Sequence, residues 1–264
     1  MPRKTAPSDR AIHFVLQGKG GVGKSLVSRM LIEYLTAQNH EVTAVDGDPI
    51  NHSLAAIDSF KAHTLDLLQN DGKIDLTGFD AVIPMIEESK GDIVVDAGAA
   101  SFVPLMDYIG QNQLIDMITE LGSQVYIHTI VTGGPALRDT MTGYDQLCER
   151  FGDTARVVVW ANSFFGPIEE GGKGFEAFQV YQDNAARTYG LVFLTERQGD
   201  LAANDFATML RGHQTFNEAL NDPAFGVMPR RRLSLVKKRI FDQLDVVFDE
   251  STEIKPDVTS IAAE

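Results

Sequence analysis

Gly18-Lys19-Gly20-Gly21-Val22-Gly23-Lys24-Ser25 decides how the rest of this chain is read. The stretch satisfies G-x-x-x-x-G-K-[ST], a loop whose backbone N–H groups cradle phosphates. Its setting supports the pattern. An apolar run at 12–16 leads in and a helical pattern over about 25–38 follows, so the loop joins a strand to a helix. Glycines let the backbone fold tightly enough for successive N–H groups to face an anion. The helix behind adds the positive end of its dipole. In such a loop Lys24 reaches the β- and γ-phosphates and the Ser25 hydroxyl coordinates Mg2+. Residues 18–26, including Val22 and Leu26, are therefore the expected nucleotide-binding segment. The competing reading, a Gly-rich turn with a surface lysine, leaves the flanking strand and helix unexplained.

Outward from the loop, short apolar runs rich in Val and Ile recur at 11–17, 41–46, 80–84, 92–97, 125–131, 156–161 and 190–194. They read as buried parallel strands. Helical patterns fall between them at about 25–38, 53–58, 103–121, 137–151 and 175–189. This alternation predicts an α/β fold: a doubly wound, mostly parallel sheet of about seven strands flanked by helices. Ligands of such a sheet bind outside the carboxyl ends of the strands, where the loop already sits. The expected domain spans 11–248, with flexible tails at 1–10 and 249–264, the second one acidic. Residues 164–174, with Gly166-Pro167 and Gly171-Gly172-Lys173-Gly174, form the expected mobile insertion. Such a segment serves as a lid, a partner loop or an ordinary surface loop.

Two further strands end in acid. The run at 41–46 leads into Asp46-Gly47-Asp48-Pro49, and Ile93-Val94-Val95 leads into Asp96-Ala97-Gly98. Carboxylates there hold water bound to Mg2+ or orient an attacking water. The expected metal set is Ser25, Asp46 and Asp96, and the expected catalytic set is Lys19, Lys24 and Asp48. Sequence alone leaves the roles of Asp46 and Asp48 interchangeable. Residues 99–104 after Gly98 are placed to move with hydrolysis. No zinc-ligand spacing occurs, and the six histidines are scattered.

Lys19, directly after the first glycine, gives K-G-G-V-G-K-S, which resembles the deviant Walker A loop of the ParA/MinD class of P-loop ATPases. Val15-Leu16-Gln17-Gly18-Lys19-Gly20-Gly21 and Asp46-x-Asp48-Pro49-x-Asn51 are similar to the TraL-type plasmid conjugal transfer ATPases within that class. The class resemblance covers roughly residues 11–200; the narrower one rests on the first fifty or so. It implies ATP and Mg2+ as cofactors and a homodimer closed around ATP. There Lys19 crosses to the partner's nucleotide and stabilises charge on the transferring phosphoryl group. It makes 46–49 switch I, with Asp46 on the metal's water shell and Asp48 on the attacking water. It also makes Asn162, after the strand at 156–161, the reader of a purine edge, and favours ATP over GTP. The implied protein is a slow, cytoplasmic switch ATPase acting with a protein partner in plasmid transfer.

Composition narrows the alternatives. The 264 residues are 44% apolar, and no apolar run reaches the roughly 18 residues that span a membrane. A single cysteine, Cys148, permits no intrachain disulfide, which fits a cytoplasmic protein. It also excludes a nitrogenase iron protein, which needs several cluster-ligating cysteines. The last tyrosine is Tyr189, against the tyrosine-rich tail of the bacterial tyrosine kinases. Net charge is −14, which opposes general DNA binding. Residues 211–241 run the other way, with seven basic residues against Glu218 and Asp222. Leu233, Val236, Ile240, Leu244 and Val247 mark a helix there, carrying Arg230, Arg231, Arg232, Lys237, Lys238 and Arg239. Those charges read as a solvated helix face or as a non-specific DNA contact of a ParA-like partition ATPase. A membrane helix fits less well, because the acidic stretch follows it. Two rivals remain: an ATP-dependent ligase of the dethiobiotin synthetase type, and a nucleotide-binding adaptor with negligible hydrolysis.

Overall fold

Alternate residues of the first strand point to opposite sides of the sheet, and all are apolar or neutral when buried. In β1 (Ala11–Val15), Ile12 and Phe14 face one layer of helices while Val15 faces another, so both sides must be covered. A computed structural model describes residues 10–69, 71, 73–194 and 201–249. Around β1 are gathered β2 (Val42–Gly47), β3 (His63–Thr64), β4 (Asp92–Ala97), β5 (Gln124–Thr132), β6 (Arg156–Asn162) and β9 (Thr188–Leu194). They form a seven-stranded sheet in the order β3-β2-β4-β1-β5-β6-β9, with every pair parallel. A separate antiparallel hairpin joins β7 (Glu169–Glu170) to β8 (Lys173–Gly174).

The helices are α1 (Lys24–Ala37), α2 (Val82–Glu88), α3 (Phe102–Gln111), α4 (Leu114–Glu120), α5 (Leu137–Phe151), α6 (Gln179–Asn184), α7 (Leu201–Arg211), α8 (Phe216–Asn221) and α9 (Val227–Phe248). One apolar layer joins α1, α7, α8 and α9 to Val15, Val94, Trp160 and Val192. The other joins α2, α3 and α4 to Ile12, Phe14, Val45 and Val95. A third cluster packs α5 and α6 on Val157 and Val159. In α9 the buried residues are Leu233, Val236, Ile240, Leu244 and Val247, the stripe read from the sequence. Its Gln243 covers the open edge of the sheet, donating to the carbonyl of Phe193 (3.2 Å) and accepting from its N–H (2.8 Å).

The sheet differs from expectation at its edge. Residues 80–84 are no strand: Asp75 caps a 3-10 turn (Leu76–Ala81) that runs into α2, with Pro84 in the first turn. Proline lacks the N–H a strand needs but is tolerated at a helix start. The two-residue β3 takes the edge position instead. The helix expected at 53–58 is a series of turns before a 3-10 turn (Asp58–Phe60). The helix expected at 103–121 breaks at Gln113, in the left-handed region at φ 48°, and becomes α3 and α4. That expected at 175–189 shrinks to α6 between 3-10 turns, because Thr188 already begins β9. The tails expected at 1–10 and 249–264 fall outside the described residues, apart from Arg10 and Asp249. Arg10 is anchored: its guanidinium donates to the Ser123 hydroxyl (2.6 Å) and to the carbonyls of Ile86 and Ser89.

A polar thread runs through the core between β1, β5 and β6. Trp160 can only donate, so its indole N–H goes to Nδ1 of His128 (3.1 Å). His128 then carries its proton on Nε2 and donates to Nδ1 of His13 (3.0 Å). Both imidazoles are thus fixed neutral. Burial pushes His13 down to about 3 and His128 well below its ordinary value. The unfolded chain therefore takes up protons below about pH 6.5 that the folded chain refuses, so stability is lost as pH falls. Asp96, pushed up to about 6, opposes part of this. Replacing His13→Phe is expected to flatten the fall of unfolding free energy by ~1.4 kcal/mol per pH unit between about pH 6 and 4. Urea unfolding at several pH values measures it, and an unchanged slope would contradict the neutral assignment.

Candidate nucleotide site

Parallel pairing aligns Val15 with Asp96 and Asp96 with Asp46, so three strand ends deliver their loops to one place. From β1 the chain turns through the glycine loop into α1. Gly21 (φ 74°) and Gly23 (φ 108°) occupy the left-handed region, which a side chain would strain. Gly18 lies under the Phe102 ring, where a Cβ would come within 2.9 Å of Cδ1. The phosphate loop thus rests directly on the segment that follows β4.

Lys24 is folded back over the loop, with Nζ donating to the carbonyl of Lys19 (3.2 Å). Burial lowers its pKa, opposed by the nearby Asp96 and Asp48. Asp96 is 1% exposed, and neither of its side-chain oxygens has a hydrogen-bond partner among the described residues. Burial pushes its pKa up to about 6; the neighbouring Asp46 adds to the rise, while Ser25, Ser28 and Lys24 oppose it. The two serine hydroxyls are close to Asp96 without reaching hydrogen-bonding geometry; Ser28 instead donates to the Lys24 carbonyl (3.3 Å).

The two switch aspartates are held differently. Asp46 is fully buried and accepts from the N–H groups of Leu54 (3.0 Å), Ala55 (2.9 Å) and Asp48 (3.1 Å), which fixes the path of the chain leaving β2. Asp48 accepts from the N–H groups of Ile50 (3.0 Å) and Asn51 (3.2 Å) and from the Asn51 amide (3.1 Å). Burial alone would raise its pKa, but those hydrogen bonds and Lys24 hold it below the usual carboxylate range. Asp48 also touches the other switch: a Cβ at Gly98 would lie 2.9 Å from its Oδ1.

Lys19 points away from the loop into an ion pair with Asp139 in the first turn of α5 (2.7 Å), with both side chains about half exposed. Asn162 is buried and already engaged. Its amide donates to the Val22 carbonyl in the phosphate loop (2.9 Å) and accepts from the Phe164 N–H (3.1 Å). Gly20, Val22 and Leu26 lie where the loop reading puts them, and Gly21, Val22, Gly23, Leu26 and Asn162 share one wall of an apolar cavity. The basic residues of α9 do not gather into one patch. Arg232 pairs with Asp205, Lys238 pairs with Asp242 (2.6 Å), and Lys237 lies 5.1 Å over the Phe241 ring.

Sequence reasoning missed Asp139, the close approach of Gly98 to Asp48, and the bridge made by Asn162. An acidic residue in a helix's first turn is commonplace, so nothing marked Asp139. No cluster of three or more His, Cys, Asp or Glu side chains suited to a metal ion occurs among the described residues. Mg2+ does not require one, since it keeps several waters and is bound through one or two protein oxygens plus substrate phosphates. Ser25 beside the unpartnered Asp96 carboxylate fits that donor set. No helix among the described residues is long and apolar enough to cross a membrane.

Comparison with known proteins gives a consistent result. The family described as CobQ/CobB/MinD/ParA nucleotide binding domain matches residues 13–234. A protein TraL from Escherichia coli is 39% identical over 234 residues, covering 89% of this chain and 97% of that protein. A second TraL from the same organism is 38% identical with the same coverage. Among solved structures, the septum site-determining protein MinD from Pyrococcus horikoshii OT3, complexed with Mg-ADP, superposes with a TM-score of 0.53 at 15% identity. That match covers 93% of this chain and all of the other, and it bears out the seven-stranded fold.

The Asn162 bridge makes a prediction independent of any ligand. Asn162→Ala removes two hydrogen bonds from a buried position, and should lower stability by about 1–3 kcal/mol. Thermal unfolding without nucleotide measures this. An unchanged midpoint would mean that the bridge does not hold the loop.

Proposed function

Because the chain belongs to the CobQ/CobB/MinD/ParA nucleotide-binding family and is related to TraL along most of its length, we propose that it is a Mg2+-dependent switch ATPase. In this reading it binds ATP in the cytoplasm, dimerises around it, hydrolyses it slowly, and serves plasmid conjugal transfer through a protein partner. The observation that carries the reading is the Asp96 carboxylate, buried without a partner between Lys24 and Ser25. An isolated buried charge is costly, and a hydrated cation held at Ser25 relieves that cost.

The residues then divide the work. Lys24 exchanges the Lys19 carbonyl for the β- and γ-phosphates, which the loop N–H groups also hold. Ser25 is the direct metal ligand. Asp96, and the edge of Asp46 left over from its backbone bonds, accept from the metal's waters. Mg2+, when bound, neutralises charge developing on the transferred phosphoryl group. Asp48 is ionised and held by Asn51 at the mouth of the site, where it orients the attacking water. Water oxygen bonds to the γ-phosphorus, the bond to the bridging oxygen breaks, and ADP leaves with the electron pair. The water's proton leaves by way of Asp48 or the departing phosphate. Gly98 offers its N–H to the γ-phosphate region and, being in contact with Asp48, links the two switches.

Lys19 must leave Asp139 to reach a partner's nucleotide. Exposed ion pairs are worth only about 0–1 kcal/mol, so Asp139 parks the lysine without trapping it. The pairing of Arg232 and Lys238 within the fold favours a protein partner over a non-specific DNA contact through α9. No observation favours a ligase.

Release of phosphate from ATP tests the assignment. Lys24→Ala should abolish nucleotide binding. Asp48→Ala should retain binding and lose turnover, and Lys19→Ala should lose about a thousandfold or more in turnover. Retained turnover in Asp48→Ala would remove that residue from the mechanism. The raised pKa of Asp96 adds a pH test. Below about pH 6 the carboxyl is protonated and no longer balances the cation, so Mg-nucleotide affinity should fall as pH drops through that value. Asp96→Asn should bind weakly at every pH and lose the dependence.

A further inference from the structure

Beside the phosphate loop lies an apolar cavity of about 320 Å3 that the phosphate chemistry does not use. Its near wall is Gly21, Val22, Gly23 and Leu26, and its mouth is the pair Phe164 and Phe165. These two rings meet edge to face at 5.0 Å, yet remain 47% and 44% exposed. Two adjacent phenylalanines left half in water invite a flat apolar partner. They are also held in place. Asn162 fixes the Phe164 N–H, and the carbonyl of Phe165 sits so close to Gly134 that a Cβ there would come within 2.8 Å. The far wall comes from α7 and α9, with Phe206, Leu210, Val236 and Ile240, while Arg211 and Arg239 also line the cavity.

We propose that this cavity seats the purine ring of the bound nucleotide against Phe164 and Phe165, so that α7 and α9 respond to an occupied base. The proposal rests on the nucleotide-switch reading above and adds to it a specificity element and a route outward. Continuity with Gly21–Gly23 identifies the occupant: a ring entering here can remain joined to phosphates on the loop. Aromatic stacking supplies affinity because a base presents a π-face to each phenylalanine. Guanidinium groups at Arg211 and Arg239 suit the same face. A seated ring adds contacts to Val236 and Ile240, on the buried side of the helix whose outer side carries Arg231, Leu235 and Lys238. Phosphate binding alone makes no such contact. The helix that presents the basic residues thereby distinguishes a nucleotide from a bare phosphate chain.

The test compares ATP with inorganic tripolyphosphate on the full chain. Phe164→Ala/Phe165→Ala should weaken ATP binding by roughly 10- to 100-fold and leave tripolyphosphate binding unchanged. In the wild type, ATP should slow hydrogen exchange of the amides at 236–240, and tripolyphosphate should not. As a second variant, Ala207→Trp fills the cavity from α7 and should reproduce the loss of ATP binding. Unchanged ATP affinity in the double variant, or equal protection of α9 by both probes, would overturn the proposal and leave the ATPase reading intact. A wild type that binds neither probe would overturn both.

Discussion

One row of the parallel sheet, in which Asp46, Asp96 and Val15 stand side by side, governs the rest of the molecule. Parallel pairing forces the three chains to leave the sheet at the same edge, and each leaves as a loop with a different task. From β1 comes the phosphate loop, from β2 the segment tied down by Asp46, and from β4 the segment on which Gly18 rests. Such a row exists only if both faces of the sheet are covered, which is why so much of the chain is apolar helix.

The same row concentrates charge where water is scarce. Asp46 meets that cost with three backbone N–H groups, whereas Asp96 has no partner among the described residues. The difference is chemical. Asp46 has become part of the scaffold, and Asp96 remains available to a ligand. Lys24 is in a comparable state, held by one carbonyl of its own loop. An acid and a base, both partly desolvated and neither satisfied by the other, form a site biased toward binding something that carries both signs. Mg2+ with a polyphosphate is such a ligand.

Much of this was legible in the sequence. The glycine pattern with its flanking strand and helix located the loop, because φ values such as those of Gly21 and Gly23 admit little else. Strands covered on both sides read as continuous Val and Ile, so β1, β4, β5 and β6 were found close to their places. Where the signal failed, the physics was non-local. Residues 80–84 are apolar enough for a strand, but Pro84 and the Asp75 cap turn them into a helix start. Gln113 breaks a continuous apolar pattern without a glycine to announce it. Asn162 was marked as a reader of the base, and its observed bonds go to Val22 and Phe164, pairings made only when β6 is docked beside the loop. Seven basic residues looked like a surface patch in one dimension; helical geometry and acidic neighbours disperse them in three.

The central claim is that the triphosphate, rather than the diphosphate, closes two chains around the site and draws Lys19 away from Asp139. Sedimentation velocity with Mg2+ and a non-hydrolysable ATP analogue, set against ADP, tests it most directly. The account predicts a dimer with the analogue, a monomer with ADP, and a monomer with both when Lys19 is replaced by alanine. A monomer throughout, or a dimer whatever the nucleotide, would contradict it.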